Sequence, residues 1–177
     1  MRKLTRTLAL TVIATLPAIA TAGPEAFGPG PVIKDYGRIA EVPEAEAIPE
    51  NMVIKLAYDV REGGEHNSVN SVFNSAAGLL NTLVASGVEK DRVKLALVIH
   101  GPAYKDILTD KAYGGTNPNG PLLKQLLDHG VRIYYCGQAA VYRDVAKSDV
   151  IPGIAFSLSA SAAHAVLQME GYGVRPY

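Results

Sequence analysis

The stretch VKLALVIHG, residues 93–101, is interrupted by a single lysine before it reaches His100. A run this apolar has no side to turn toward water, so it fits a strand covered on both faces, the kind found in parallel sheets. Three other segments share its strand-like character: MVIKLAYDV (52–60), VRIYYC (131–136) and IPGIAFSLS (151–159). The chain between them changes period. In SVNSVFNSAAGLLNTLVASG, residues Val69, Val72, Phe73, Ala76, Leu79, Leu80 and Leu83 fall three and four apart, which is one face of a helix. Asn67 or Ser68 is expected to cap it, and Gly87 to end it.

AYKDILTD reads as a short helix, and PLLKQLLDH as another, opened by Asn119 and Pro121 and stopped by Gly130. GQAAVYRDVAK and ASAAHAVLQMEGYG complete the helical set. Strands alternating with helices imply one-handed crossovers and a mostly parallel sheet with helices on both faces, the α/β class.

The N-terminus is built differently. Arg2, Lys3 and Arg6 precede the apolar LALTVIATL, which is too short to span a bilayer, and Ala20-Thr21-Ala22 suits a cleavage site. Residues 1–22 are therefore expected to be a signal peptide cut between Ala22 and Gly23, with a periodic α/β domain over 51–177. Residues 23–50, rich in Pro, Gly and Glu, lie between as an extended arm or linker. Phe27, Val32, Ile33, Tyr36 and Ile39 give that arm something to bury, on the body or on a neighbouring subunit.

Export makes the location periplasmic or secreted and removes three of the 17 basic residues but none of the 17 acidic ones. The remaining body is three charges negative. Such a body offers no basic footprint for nucleic acid and no attraction to anionic membranes. Cys136 is the only cysteine, so no intrachain disulfide can brace the fold. An unpaired thiol in an oxidising compartment is either reactive or a buried apolar residue.

Ligands of open α/β sheets bind outside the carboxyl ends of the strands. The residues there are Asp59 and the loop to Asn67, then His100, Gly101, Pro102 and Tyr104, then Cys136, Gly137 and Gln138, then Ser157 and Ser159. Cys136 is the strongest candidate in this group. It ends a strand, Gly137 permits close backbone approach, and a following helix aims N–H groups at the sulfur, which favours a thiolate. Arg143, further along that helix, is placed either to support an anionic sulfur or to point to solvent. His100 is a candidate acid, base or donor at the same rim.

The other histidines read as less informative: His129 as a helix-end residue, His164 as packing or interface, His66 as loop-borne. No metal is expected, since the histidines and the one cysteine lack ligand spacing. No cofactor is expected either, because neither a dinucleotide nor a phosphate-loop glycine pattern follows a strand. The nucleophile elbow of serine hydrolases is also missing.

VIHGPAYKDIL, NPNGPLLKQLLDHGVRIYYCGQA and IPGIAFSLSASAAHAVLQMEGYG, in this order and spacing, resemble the DsrE/DsrF-like, or YchN-like, family in an exported form. The resemblance covers about residues 52–175. It implies a three-layer α/β/α sandwich with a mainly parallel, about five-stranded sheet, assembled as a homotrimer or homohexamer. It also implies a sulfur-handling role, with the family cysteine at Cys136 carrying sulfane sulfur as a persulfide between a donor and an acceptor protein, and the family arginine at Arg143. His100, Gly101, Tyr104, Gly137, Gln138 and Asn67 are the expected binding residues around it. The chain departs from relay members at Asp144, where they carry glycine, and at Ala139, where some relatives have a second cysteine. The competing expectation is a non-catalytic oligomeric module that binds a small ligand or a protein, with Cys136 structural.

Overall fold

The computed structural model describes residues 23–65 and 67–176, so the expected signal peptide and His66 lie outside the described residues. The body is a five-stranded, all-parallel sheet. Its strands are β1 (Ile54–Val60), β2 (Val93–Ile99), β3 (Arg132–Cys136), β4 (Ala155–Ser157) and β5 (Gly173–Pro176), in the order β4-β3-β2-β1-β5. The α-helices are α1 (Ser71–Ala85), α2 (Asp110–Tyr113), α3 (Gly120–Asp128), α4 (Gly137–Tyr142) and α5 (Ala160–Met169).

VKLALVI lies in the middle of the sheet, as its composition requires, and its alternation divides the core. Leu95, Leu97 and Ile99 join Phe73, Leu80, Leu122, Leu126 and Ala140, from α1, α3 and α4, on one face. Ala96 and Val98 join Ala57, Ala163 and Leu167 on the face covered by α5. Each fully buried Leu or Ile contributes roughly 2 kcal/mol of transfer free energy. The alanines on the second face have small side chains, which lets α5 lie close to the strands.

Strands β1 to β4 march outward in one direction, and then the chain returns through α5 to place β5 beside β1, at the opposite edge. A parallel crossover has one favoured hand, so reversing the direction of travel moves the connecting helix to the other face of the sheet. That is why α5 stands alone opposite α1, α3 and α4.

Several local expectations are corrected. Helix α1 is capped by Asn70, whose side-chain oxygen accepts from Val72 N at 2.9 Å, rather than by Asn67 or Ser68. Asn67 instead occupies a turn at φ 57°. AYKDILTD is a 3-10 segment, Gly101–Ile107, with α2 beginning at Asp110. The helix after Cys136 has only six residues, because Arg143 caps it and Asp144 turns at φ 53°. The last helix stops at Met169; of the glycines read as its tail, Gly171 turns the chain at φ 88° and Gly173 opens β5.

The N-terminal arm is packed on its own chain. Asn81, buried in α1, accepts from Val32 N and Ile33 N through Oδ1, and its Nδ2 donates to the carbonyls of Ile33, Tyr36 and Gly37. Ile33 is fully buried in the core as a result. Gly37 is obligatory there: it has φ 60°, and a Cβ would stand 2.2 Å from Gly78 N. Replacing Asn81 with Ala removes the group that satisfies all five arm atoms. The variant is expected to lose about 2–4 kcal/mol of stability in urea unfolding and to be cut by protease within residues 23–50. Unchanged stability and unchanged cleavage would show that the arm is held by something else.

Candidate functional site

The reversal of the chain defines where a site can form. Beyond β3 the backbone enters α4 on one face, and beyond β4 it enters α5 on the other. Two adjacent strands whose continuations part in this way leave a crevice at their carboxyl ends, the switch point at which open α/β sheets bind ligands. The two residues that close the β3–β4 ladder there are Cys136 and Ser157.

A crevice of about 490 Å³ opens at that place, lined among others by Gly137, Gln138, Val141, Phe156, Ser157 and Leu158. Cys136 itself is 7% exposed and lines neither this crevice nor a smaller apolar groove of about 220 Å³ between α5 and strands β3 and β4. It is flanked by residues that do line the crevice, Gly137 in sequence and Ser157 across the ladder. Gly137 is a packing necessity, since a Cβ there would come 2.5 Å from the Ser157 carbonyl oxygen. The smaller groove holds Arg132, but that guanidinium is engaged by Glu170, which raises the arginine pKa and lowers that of the glutamate.

Tyr104 and Arg143, distant in sequence, come together: the guanidinium lies 4.9 Å from the Tyr104 ring centroid. Arg143 therefore rests on an aromatic face at the rim. The site chemistry also explains Asp144. Its left-handed backbone is the conformation that glycine adopts without strain, and aspartate is among the residues that tolerate it. Gln138 is exposed on the crevice wall, and Gly101 turns the chain at φ 55° against Arg61. Asn67 sits in an exposed turn and hydrogen-bonds to nothing at the rim among the described residues.

His164 is the main correction. It is no simple packing residue: its Nε2 lies 2.9 Å from Asp59 Oδ1, and His100 Nε2 lies 2.9 Å from the same oxygen. One carboxylate thus holds two imidazoles at the carboxyl end of β1. The residue order gave no hint of this pairing, because 105 positions separate Asp59 from His164. Only the reversal of the chain brings them together.

Next to the rim, a network of buried amides around the Asp106 carboxylate fixes the loops. Asp106 accepts from Gly64 N and Asn70 Nδ2, Asn119 accepts from Asn70 N, and Asn117 donates to the carbonyls of Asp106 and Leu108. Asn119 and Pro121 marked the helix start correctly, yet Asn119 spends its side chain on Asn70 and Asn117 rather than on a cap. Among the described residues, no group of three or more His, Cys, Asp or Glu is placed to hold a metal ion.

A three-layer α/β/α sandwich with a parallel five-stranded sheet and a cysteine at its switch point defines the class of protein. The chain belongs to the DsrE/DsrF-like family, whose model matches residues 56–174. Two solved structures share the fold. The ychN protein from E. coli is 17% identical with a TM-score of 0.53, over 70% of this chain and 99% of that one. MTH1491 from Methanobacterium thermoautotrophicum, described as a protein of unknown function, is 14% identical with a TM-score of 0.53 over the same shares. No curated protein matches the chain. Membership in the family suggests a role related to sulfur relay.

Tyr135, beside Cys136 in β3, gives a pH signature for the core under the site. Burial, opposed by the positive charge of Arg143, pushes its phenol up to about 12. The unfolded chain releases that proton near 10, so the folded state keeps its full advantage below about pH 10 and loses it as pH rises toward 12. Tyr135→Phe is expected to remove this part of the alkaline destabilisation, read as the difference between urea midpoints of the two proteins from pH 9 to 12. At pH 7 the change should be neutral or slightly stabilising, because the hydroxyl is buried without a partner among the described residues. Parallel pH profiles would contradict the assignment.

Gly137→Ala tests the close approach at the crevice. It is expected to cost about 1–3 kcal/mol, since the new methyl must displace the β4 backbone rather than a side chain. Wild-type stability would mean that β4 yields freely there.

Proposed function

We propose that the protein is a sulfur carrier of the exported compartment: Cys136 accepts a sulfane sulfur as a persulfide and passes it to an acceptor thiol. The observation that carries this reading is the position of the chain's single cysteine, at the ladder end where β3 and β4 part and between two residues of the crevice wall. Loading forms a bond between Cys136 Sγ and the outer sulfur of a donor while the donor's own S–S bond breaks. Unloading is the same exchange with the acceptor thiolate attacking and Cys136 leaving. No net oxidant is needed.

The signal-like N-terminus supports a periplasmic or secreted location, with cleavage before Gly23. Among the described residues no helix is long and apolar enough to cross a membrane. We further propose that copies assemble as a homotrimer or homohexamer. Val141 and Leu158 on the crevice wall, Tyr142 next to Val141 in sequence, and Met169 at the end of α5 are each more than four-fifths exposed, and a subunit contact would take that surface out of water. Light scattering at micromolar concentration is expected to give a multiple of three chain masses; a monomer would remove the assembly from the proposal.

A second reading rests on a specific observation as well. Cys136 is 7% exposed and opens into neither cavity, which suits a structural thiol in a module that uses the crevice to bind a small ligand or a protein. The two readings separate in one experiment. Folded mature protein is exposed to inorganic polysulfide and weighed intact, with Cys136→Ser beside it. A gain of one sulfur atom, reversed by a reductant and lost in the variant, is the result expected of a carrier. No gain, together with a thiol that resists a small alkylating reagent until the chain is unfolded, would leave the binding module.

A further inference from the structure

Asp59, His100 and His164 are brought together from β1, the end of β2 and α5, and nothing in the fold requires one carboxylate oxygen to hold two rings. Both rings approach through Nε2. A carboxylate oxygen only accepts, so each ring presents an Nε2–H and its remaining nitrogen is Nδ1. The two Nδ1 atoms are not alike. That of His164 is buried with no partner among the described residues, so a proton placed there would be an unpaired buried charge. His164 is accordingly held through Nε2 as a donor to Asp59. His100 has a quarter of its side chain exposed and lies at the rim, and its Nδ1 is engaged by no hydrogen bond among the described residues.

The register then relates His100 to Cys136. Ile99 pairs with Tyr135, and both side chains belong to the core on the α1 face. The next residue on each strand is His100 and Cys136, and both keep extended backbone. Alternation turns both toward the α5 face, in neighbouring positions of adjacent strands. Asp59 and His164 belong to that same face. Tyr135, which follows Tyr134 and precedes Cys136 in the same strand, is the group whose phenol feels Cys136, Arg143 and Tyr104; Arg61 lies against Gly101, beside the histidine.

Resting on the sulfur-carrier reading, we propose that Asp59 and His100 form the acid–base pair of Cys136: Asp59 orients the ring and steadies its cation, and His100 Nδ1 takes the thiol proton. His164, as a second donor to Asp59, is a positioning residue that fixes the carboxylate. The proton crosses directly or through one water, since Cys136 and His100 are not hydrogen-bonded in the structure as it stands. In loading, the proton moves from Sγ to His100 Nδ1 and the thiolate attacks the terminal sulfur of an inorganic polysulfide. The new bond is Sγ–S, and the broken one is the next S–S bond of the polysulfide. The shortened chain leaves with the electron pair and recovers the proton from His100. The logic is that of a carboxylate–imidazole–thiol set, in which the acid holds the tautomer and the base activates the nucleophile.

The test follows both iodoacetamide alkylation and polysulfide loading of Cys136 against pH, in the full mature chain and in His100→Gln and Asp59→Asn, with circular dichroism checking the fold. His100→Gln should slow both reactions near pH 7 by about tenfold or more, with the alkylation rates converging at high pH, where the thiol ionises unaided. Asp59→Asn should move both in the same direction by a smaller factor. A folded His100→Gln whose alkylation rate matches the parent at every pH overturns the assignment.

Should either variant fail to fold, the unmodified chain still decides. The ring resonances of His100 should respond to alkylation of Cys136 and share a pH midpoint with its alkylation rate, and two unrelated midpoints would overturn the pairing. Failure of the carrier reading is separable. A parent that gains no sulfur, yet alkylates in a His100-dependent way, loses the carrier function and keeps the acid–base pair. Equal loading of the parent and His100→Gln keeps the carrier and removes the pair.

Discussion

The hand of a parallel crossover is the constraint on which the rest of this structure depends. Four strands laid down in one direction put α1, α3 and α4 on one face, and the return to β5 puts α5 on the other. Two consequences follow. The ends of β3 and β4 part, opening the crevice beside Cys136 and Ser157. The lone helix on the far face also carries His164 back across the sheet to Asp59 in β1. The cysteine crevice and the histidine pair are both products of one reversal.

A chain with a single cysteine has to fix its loops without disulfides, and here buried amides do it. Asn81 ties the N-terminal arm to α1, while Asn70, Asp106, Asn117 and Asn119 tie together the loop after β1, the segment after β2 and the start of α3. Their buried polar atoms are matched to specific backbone partners, so a displaced loop would strand several of them at about 1–3 kcal/mol each. This is a directional restraint, which apolar contact alone does not provide. It holds the segments bordering His100 in a defined place.

The sheet was legible because its evidence is local. VKLALVI, MVIKLAYDV and VRIYYC declare strands by composition, the period of α1 is plain, and Gly87 and Gly130 end their helices where expected. Cys136 was found as a strand-end residue by the same means. The failures at the candidate site share a cause: they concern polar side chains whose partners are far away in sequence. Asn67 and Ser68 look as good as Asn70 for a cap until Asn119 and Asp106 claim Asn70. His164 looks like a helix-packing residue until the topology delivers it to Asp59. The extra length assigned to α4 came from reading its helical residues past Arg143, whereas the left-handed turn at Asp144 breaks the run.

The sources of positive charge usually invoked for an activated thiol are weak at this site. Helix α4 has six residues, so its N-terminus supplies few aligned dipoles, and no side-chain cap is formed there. Arg143 is the cation nearest in sequence, but its guanidinium lies over the Tyr104 ring, and its influence on the neighbouring strand is felt at Tyr135. A buried sulfur cannot draw on bulk water for the same purpose. What remains on its face of the sheet is an imidazole backed by a carboxylate, which itself is held by a second imidazole. Such an arrangement supplies charge only when a proton moves. On the proposal above, the thiol is shielded by burial and becomes a nucleophile only when the imidazole takes its proton.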